Sequence, residues 1–380
     1  MPFSSFGLSA PLVKALSDLA YTHPYPIQKE AIPAILKGKD ILGIAQTGSG
    51  KTASFVLPIL QLLQDRPLGR NRHISALVLV PTRELAVQVG EIFESFASVL
   101  KPRIKTMAVY GGVSINPQMI KLQGVEVLVA TTGRLLDLVS SKAVYLSDVE
   151  ILVLDEADKM LNLGFRDEMN QIFKLLPAKR QNLLFSATLG KDIDTITEMI
   201  LRDPVKIEIQ EEVQNLDLIK QVAYAVDEER KGPLLRYLIK KENMKQVLVF
   251  TSSVHRADAV VEKLKANGIV AAAMHSKKSQ GARTEALRNF KTGYIKVLVA
   301  TDIMSRGIDI QFLPYVINYE LPRSPKDYIH RIGRTGRAES PGDAISLINP
   351  EEQHHFSVIQ KKMRKKVDLI DTQDIDLKGF

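Results

Sequence analysis

Short runs of apolar residues recur along the chain, and segments with helical periodicity separate them. In the first half the runs lie at 40–44, 76–80, 105–110, 125–130, 151–154 and 182–185. After residue 219 the alternation restarts, with strands predicted at 221–226, 246–251, 269–274, 296–301, 314–319 and 343–348. Continuous apolar strands that alternate with helices predict an α/β fold whose parallel sheets are covered by helices on both faces.

A polar stretch, residues 209–219, separates the two halves and lacks clear periodicity, so we predict an interdomain linker there. The predicted domains are 1–208 and 220–366, and a tail follows at 367–380. A basic run at 361–366 precedes the tail. Such a charge run is usually the solvated face of a helix.

The segment between the first strand and its helix, residues 45–52, has the pattern of a phosphate-binding loop. Its glycines let backbone N–H groups face a phosphate, Lys51 can reach the β- and γ-phosphates, and the Thr52 hydroxyl can hold Mg²⁺. Ala45 stands where the general pattern has its first glycine. A chance glycine turn is disfavoured because a strand and a helix flank the loop. The predicted nucleotide contacts are Gln46, Thr47, Gly48, Ser49, Gly50, Lys51 and Thr52.

An acidic cluster follows the apolar run 151–154. Asp155 is placed as a Mg²⁺-binding carboxylate at a strand end should be, and Glu156 can orient or deprotonate an attacking water. A surface acidic cluster would not explain why these residues directly follow a buried strand. Together with the loop at 45–52, the cluster predicts hydrolysis of ATP or GTP.

Upstream of the loop, a turn with two prolines leads into a helix that begins at Gln28. A glutamine amide can donate and accept at once, which suits the edge of adenine, and Tyr21 could stack on the base. Alone, this turn would be read as a surface feature. Beside a phosphate-binding loop, it favours a nucleotide contact.

The second half contains a segment rich in arginine, residues 330–337, with glycines at two positions. Such a segment can be a nucleic-acid patch. The glycines constrain the backbone, however, which favours a clamp on the γ-phosphate that acts when the second domain closes on the first.

Composition limits the classes of function. Hydrophobic residues make up 45% and charged residues 25% of the 380 residues, and there is no cysteine. We therefore expect a soluble protein without disulfides or thiolate metal sites, no membrane span and no secretory signal, in the cytoplasm. The net charge is +8, with 28 basic and 22 acidic residues at 211–380, so a polyanionic partner is expected.

The complete set of motifs resembles the DEAD-box ATP-dependent RNA helicases, over about residues 3–350. Asp155 to Asp158 spells the name of the family, and the compact form is most similar to a bacterial RhlE-type protein. The motifs in family order are the glutamine motif, the phosphate loop, Pro-Thr-Arg-Glu-Leu at 81–85, Gly-Gly at 111–112, Asp-Glu-Ala-Asp, Ser-Ala-Thr at 186–188, 280–283, 306–309 and the arginine segment.

The resemblance implies two RecA-like domains, joined by a flexible linker, that bind ATP and Mg²⁺. Glu156 would activate water, Lys51 and Asp155 would hold Mg·ATP, and Arg334 and Arg337 would contact the γ-phosphate. The other implied contacts are Gln28 and Tyr21 to adenine, Thr52 to Mg²⁺ and Asp309 to the ribose.

RNA is implied to run across both domains, held mostly at phosphates and 2′-hydroxyls with little sequence preference. The implied contacts in the first domain are Pro81, Thr82, Arg83, Gly112, Thr131, Gly133 and Arg134. In the second domain they are Thr251, Gln280, Arg283 and Thr301. The residues implied to couple the ATP site to strand separation are Asp158, Ser186, Thr188 and His330.

Four departures from the family pattern matter, one of them a pair of residues. Thr132 replaces the usual proline; a threonine can cap a helix but fixes the backbone less. Ser276 replaces a glycine and is followed by two lysines. Tyr25 is larger than the usual residue, and 304–305 differ from a commoner pair of small residues. No departure removes a catalytic group.

The sequence therefore predicts an RNA-dependent ATPase that locally unwinds short RNA duplexes. An ATP-controlled RNA clamp that anneals or scaffolds would share these motifs and stays open as an alternative. A DNA translocase is disfavoured because no accessory domain is inserted. The predicted partners are single-stranded and duplex RNA, with ribonucleoprotein or RNA-degradation proteins beside them.

Overall fold

The chain divides into two compact units, Met1–Glu211 and Glu212–Phe380. The computed structural model describes residues 2–46, 48–64, 66, 71–209, 219–302, 313–336 and 342–380. Apart from its two ends, the predicted linker at 209–219 lies outside the described residues.

The described residues of the first unit form a parallel sheet with strand order β3-β4-β2-β5-β6-β1-β7. The strands are β1 (Ile41–Ile44), β2 (Ala76–Leu79), β3 (Thr106–Val109), β4 (Val127–Ala130), β5 (Ile151–Leu154), β6 (Gln181–Ser186) and β7 (Val205–Glu208). The α-helices are α1 (Ala10–Asp18), α2 (Pro26–Leu36), α3 (Lys51–Gln64), α4 (Arg83–Ala97), α5 (Asn116–Lys121), α6 (Thr132–Ser140), α7 (Ala157–Asn162), α8 (Arg166–Leu175) and α9 (Lys191–Ile200).

Helices cover both faces of this sheet because its central strands are apolar at every position. Successive residues of a strand point to opposite faces. Val78 therefore packs in one core with Phe55 of α3 and Phe93 of α4, whereas Leu77 packs in the other core with Leu135 of α6. The six strands predicted for this half are all present. Their ends differ from the predicted ends by no more than two residues.

Strand β7 was not predicted. It lies at the edge of the sheet, pairs with β1 alone and buries only Ile207. An edge strand that is mostly exposed has no continuous apolar run, so the pattern used for the other strands could not find it.

The second unit repeats the topology of the first, with strand order β10-β11-β9-β12-β13-β8-β14. Each strand of the second sheet has a number higher by seven than the strand at the same position of the first sheet. Strand β8 thus corresponds to β1, and β14 corresponds to β7. The strands are β8 (Ile219–Ala225), β9 (Val247–Thr251), β10 (Ala271–Met274), β11 (Val297–Thr301), β12 (Tyr315–Asn318), β13 (Gly342–Ile348) and β14 (Leu369–Asp371). The α-helices described here are α10 (Glu228–Lys241), α11 (Val254–Ala266), α12 (Gln280–Lys291), α13 (Pro325–Ile332) and α14 (Gln353–Met363). None of the helices in the described part of the chain is long and apolar enough to cross a bilayer.

The segment 367–380 is part of the second unit, so its interpretation as a separate tail was wrong. Strand β14 pairs with β8, and Leu369 lies opposite Ala223. The Thr372 hydroxyl donates a hydrogen bond of 2.6 Å to the Ala225 carbonyl, and Ile375 packs against the core. All three residues of β14 are exposed, so hydrophobicity could not reveal the strand.

We predict that removing residues 367–380 lowers the stability of the second unit by at least about 3 kcal/mol, because it exposes the side of β8 and several apolar side chains. Denaturant unfolding of the full chain and of the truncated chain measures this. Thr372→Val, which removes one hydrogen bond and keeps the strand, serves as the control and should cost about 1 kcal/mol. Equal unfolding midpoints for the truncated and full chains would contradict the assignment of this segment to the fold.

Candidate active site and nucleic-acid interface

The carboxyl ends of β5, β6 and β1 lie side by side in the first sheet. The phosphate-loop segment follows β1, the acidic cluster follows β5, and Ser186 ends β6. The Ala45 N–H donates to the Ser186 carbonyl at 3.0 Å, which joins two of these segments directly. Ligands of parallel α/β sheets bind at this edge, so the fold brings the predicted catalytic segments together. A cavity of about 270 Å³, lined by Gln46 and Thr188 among others, opens beside them.

The backbone of the phosphate loop requires both of its glycines, and Gly50 is also required for space. Gly48 and Gly50 have φ angles of 83° and 86°, a region that side chains with a Cβ rarely adopt. At Gly50 a Cβ would also lie 2.5 Å from Nε2 of Gln28, so no other residue fits without displacing that amide. The Ser49 hydroxyl donates to the Gln46 carbonyl at 2.7 Å. Thr47 lies outside the described residues.

Lys51 is the first residue of α3, and its ammonium is buried and donates to the Ala45 carbonyl. Burial lowers the pKa of Lys51, and attraction to Asp155 and Glu156 opposes that shift. Thr52 follows in the first turn and is partly buried. The loop therefore presents a lysine whose charge has little water around it.

Asp155 is the acidic counterpart of Lys51. Desolvation raises the pKa of Asp155 to about 6, although attraction to Lys51 opposes the shift. Its Oδ1 atom is buried and has no hydrogen-bond partner among the described residues. An unpartnered buried carboxylate oxygen next to the first turn that carries Thr52 fits a hard divalent cation, which prefers oxygen ligands.

Glu156 has a strained backbone and a partner that sequence analysis missed. Its φ and ψ angles are 54° and 47°, in the left-handed region, directly before α7. Its Oε1 atom accepts from Lys159 Nζ at 2.7 Å, whereas Oε2 is buried without a hydrogen-bond partner in the described chain. The spacing of an acid and a lysine three residues apart at a helix start was the available signal for this pair.

Three of the four residues predicted to couple the sites are in direct contact. The Thr188 hydroxyl donates to Asp158 Oδ2 at 3.1 Å, and the Ser186 hydroxyl donates to the Thr188 carbonyl at 2.8 Å. The acidic cluster and the end of β6 therefore form one hydrogen-bonded group. His330, the fourth, lies on α13 of the second unit.

Gln28 is fully buried, and its amide joins the turn before α2 to the phosphate loop. Its Oε1 accepts from the Tyr25 N–H at 2.9 Å, and its Nε2 donates to the Gly50 carbonyl at 3.0 Å. One N–H and one lone pair remain for a base. Tyr21 is partly buried, with its ring edge-on to Phe96 at 5.7 Å.

The predicted RNA contacts of the first unit follow β2, β3 and β4, which are neighbours in the sheet. The Arg83 guanidinium covers Gly112, where an added Cβ would lie 1.9 Å from Nη1, and the φ angle of Gly112 is 78°. Arg134 Nη2 donates to the Val113 carbonyl at 2.8 Å, while its Nη1 is buried without a hydrogen-bond partner in the described part of the chain. Two of the three loops thus contact the loop after β3.

The threonines of these loops differ in their roles. Thr82 caps α4, because its Oγ1 accepts from the Leu85 N–H at 3.2 Å. Thr131 occupies the cap position of α6 without a side-chain cap bond, and Thr132 is buried in the first turn. Thr132 therefore does not cap α6. The remaining predicted contacts beside these loops are Pro81, which is buried, and Gly133, which is exposed.

The predicted RNA contacts of the second unit stand on the equivalent strand ends. Thr251 ends β9 and Thr301 ends β11. Gln280 and Arg283 lie on α12, which follows β10, and the Arg283 guanidinium donates to Gln280 Oε1. Because β10, β11 and β9 take the places of β3, β4 and β2, each unit offers the same three strand ends.

The arginine segment divides into residues with different environments. Arg331 is buried and donates to both carboxylate oxygens of Asp302, at 2.6 and 2.8 Å, with its guanidinium 4.9 Å from the Phe250 ring centre. Arg331 thus ties α13 to the ends of β9 and β11. Arg334 follows α13. The predicted contacts Arg337 and Asp309, and the departures at 304–305, lie outside the described residues.

Comparisons with known proteins match these features. Residues 25–196 match the DEAD/DEAH box helicase family, and residues 230–339 match the helicase conserved C-terminal domain. The chain is 39% identical over 366 residues to the ATP-dependent RNA helicase CshA of Listeria monocytogenes, covering 96% of this chain and 69% of that protein. It is also 39% identical over 377 residues to the DEAD-box ATP-dependent RNA helicase RhpA of Helicobacter pylori, covering 98% and 75%. A solved structure of S. cerevisiae Dbp5 bound to RNA and ADP BeF3 is similar with a TM-score of 0.82 and 30% identity, covering 98% of this chain and 96% of Dbp5.

We predict that Asp155→Asn stabilises the nucleotide-free protein by about 3 kcal/mol near pH 8, because it removes a charge that burial makes unfavourable. A raised carboxyl pKa favours the folded state at low pH and loses that contribution as the pH rises through about 6. The gain should therefore fall to roughly half at pH 5. Thermal or denaturant unfolding at both pH values measures it.

The exposed Asp18 provides the matched control, because Asp18→Asn changes the net charge equally without removing a buried charge. Mg·ATP should stabilise the wild type and not Asp155→Asn. A nucleotide-free Asp155→Asn protein that is less stable than the wild type at pH 8 would contradict the prediction.

Proposed function

This chain belongs to the DEAD-box ATP-dependent RNA helicases, and on that basis we propose that it couples RNA-stimulated ATP hydrolysis to local unwinding of short RNA duplexes. The observation that carries the proposal is the buried charged group at one edge of the first sheet: Lys51, Asp155 and Glu156, with the phosphate loop beside them. A nucleoside triphosphate would pair its phosphate charges with Lys51, and its cation would pair with Asp155.

Within this proposal, Thr52 and Asp155 hold Mg²⁺, which neutralises charge on the phosphates. Lys51 leaves the Ala45 carbonyl and turns to the β- and γ-phosphates. Gln28 contacts adenine through the N–H and lone pair that its two backbone hydrogen bonds leave over. Asp309 on the ribose remains a proposal from the family pattern.

Glu156 is the proposed group that orients and deprotonates the attacking water. Its Oε2 atom is available, because Lys159 engages only Oε1. The hydrogen bond from Lys159 fixes the rotamer of the carboxylate, so Lys159 is a proposed positioning residue. The hydrogen-bonded group Asp158–Thr188–Ser186 joins the acidic cluster to the end of β6 and is the proposed route of coupling.

Closure of the second unit on the first is proposed to complete the site. Arg334 and Arg337 would then stabilise negative charge that develops on the γ-phosphate. RNA contacts from equivalent strand ends of both units would favour the same closure. ATP and RNA should therefore strengthen each other's binding by the same factor.

Membership of the RhlE type is part of this proposal, and the relatives CshA and RhpA are also bacterial. A place in the cytoplasm, beside ribonucleoprotein or RNA-degradation partners, is the corresponding proposal. A strand-displacement assay distinguishes a helicase from an ATP-controlled clamp that anneals RNA without much unwinding. Comparing the stimulation of ATP hydrolysis by RNA and by DNA distinguishes a helicase from a DNA translocase.

We expect Glu156→Gln to retain ATP binding and to lose nearly all RNA-stimulated hydrolysis, because the substitution keeps the size of the side chain and removes the base. Steady-state ATP turnover with and without single-stranded RNA measures this, alongside binding of a fluorescent ATP analogue. ATP-dependent RNA binding should persist or tighten, since the closed state is no longer discharged. Turnover near that of the wild type would overturn the role of Glu156.

We expect Arg334→Ala to lower RNA-stimulated turnover by about 10³-fold or more, the usual effect of removing an arginine that acts on a transferring phosphate. Nucleotide affinity in the absence of RNA should change little. The comparison with residues 1–208 alone is informative, because that fragment should bind nucleotide weakly and hydrolyse it slowly. Hydrolysis by the fragment as fast as by the RNA-bound full chain would refute a two-unit site.

A further inference from the structure

Part of the positive charge of the second unit lies away from the strand ends that carry the predicted RNA contacts. The last turns of α11 and α12 contain lysines, and short connections lead from these helices to the starts of β10 and β11. In a parallel sheet such helix ends lie beside the strand starts, at the edge opposite the strand carboxyl ends. Gln246, just before β9, confirms this position because its Nε2 donates to the Phe290 and Lys291 carbonyls at 3.2 Å.

Five exposed lysines occupy this place, and we refer to them as the basic edge. The basic edge consists of Lys245, Lys263, Lys265, Lys291 and Lys296. Among the described residues, none of the five forms an ion pair. The exposed acids of the same helix ends are Glu242 and Glu262, so the basic edge keeps a net positive charge.

Stabilisation of helix dipoles is the ordinary reason for lysines at helix ends. The first unit provides an internal comparison, because its helices have the same orientation relative to an equivalent sheet. There, six of the nine described α-helices have no basic residue in the last turn, and α5, α7 and α8 have one each. In the second unit, α10, α11, α12 and α14 each have two. A general requirement of helix ends does not account for this difference.

An exposed aromatic side chain stands within the basic edge. Tyr294 lies in the connection between α12 and β11, between Lys291 and Lys296 in sequence, and it is 73% exposed. A large exposed ring between lysines is the combination with which proteins hold single-stranded nucleic acid, since the lysines contact phosphates and bases stack on the ring. An acidic protein partner would use the charge but would give no reason for the ring.

We propose that the basic edge and Tyr294 form a second RNA-binding surface, on the edge of the second unit opposite Thr251, Gln280 and Thr301. This inference rests on the proposed function, because the same RNA strand would occupy both edges. Strand β9 has five residues and is about 17 Å long, which is about the separation of the two edges of the sheet. An RNA of about ten nucleotides suffices for the contacts at the carboxyl edge. A longer strand continues from those contacts onto the basic edge.

The test compares two RNAs on the full chain: a single strand of about ten nucleotides and one about four times as long. The variant Lys245→Gln/Lys291→Gln/Lys296→Gln should bind the long strand on the order of 10-fold more weakly. The slope of log affinity against log salt concentration should become shallower by about 2, as expected for three fewer phosphate contacts on a single strand. ATP turnover activated by the short strand should be unchanged.

The matched control is Lys14→Gln/Lys174→Gln/Lys179→Gln, which changes the net charge equally at exposed lysines of the first unit. It should bind both strands as the wild type does. Tyr294→Ala should weaken long-strand binding by about 5-fold or more through lost stacking, and Tyr294→Phe should restore it. Because Tyr294 is exposed, its replacement should leave the fold intact, and thermal unfolding of each variant checks this.

Unchanged affinity of the basic-edge variant for the long strand would overturn the proposal, as would an equal loss in the control variant. If the variant loses binding to phosphatidylserine vesicles while its RNA affinity stays the same, the surface faces a membrane and the proposal is wrong. Failure of the proposed function is a separate result, because it would appear as absent RNA-stimulated hydrolysis in the wild type with the short strand.

Discussion

The candidate site depends on two buried, desolvated charged groups at the carboxyl edge of the first sheet. Lys51 and Asp155 are both buried, and burial lowers the pKa of the lysine and raises the pKa of the aspartate, which favours the neutral form of each. Their mutual attraction offsets only part of this cost. Burial of these two charges therefore carries a free-energy cost at this edge of the sheet. Strain at Glu156 adds to the same local cost.

The two units use one topology for different tasks. The strand order is the same in both, and β14 completes the second sheet as β7 completes the first. In the first unit the loop after β1 is glycine-rich and open to phosphate. After β8 the chain enters α10 with Asp227 and Glu228, and the buried Lys231 pairs with Glu352 at 2.7 Å. Carboxylates of the protein itself pair with this lysine, so an internal ion pair follows β8 where the phosphate-loop segment follows β1.

Contacts between loops join the ends of β2, β3 and β4 of the first unit into a single surface, where the RNA contacts are predicted. Arg83 covers Gly112, and Arg134 holds the carbonyl of Val113, so the loops after β2 and β4 both support the loop after β3. A glycine is required at 112 because the arginine occupies the space of a side chain. In the second unit Arg331 serves the arginine segment in a similar way by tying α13 to Asp302.

The sequence by itself determined the α/β class, the two units, six strands of the first sheet and the catalytic segments, because continuous apolar strands and the glycine–lysine loop are local patterns. It could not show β7 or β14, since edge strands expose their side chains and are defined only by the neighbour they pair with. Nor could it separate the buried Arg331 from Arg334, three residues later, or find the bond between Lys159 and Glu156. Those distinctions depend on burial and on partners brought close by packing. Nor could it show which threonine takes the cap position of α6: Thr131 does so, and Thr132 lies in the first turn.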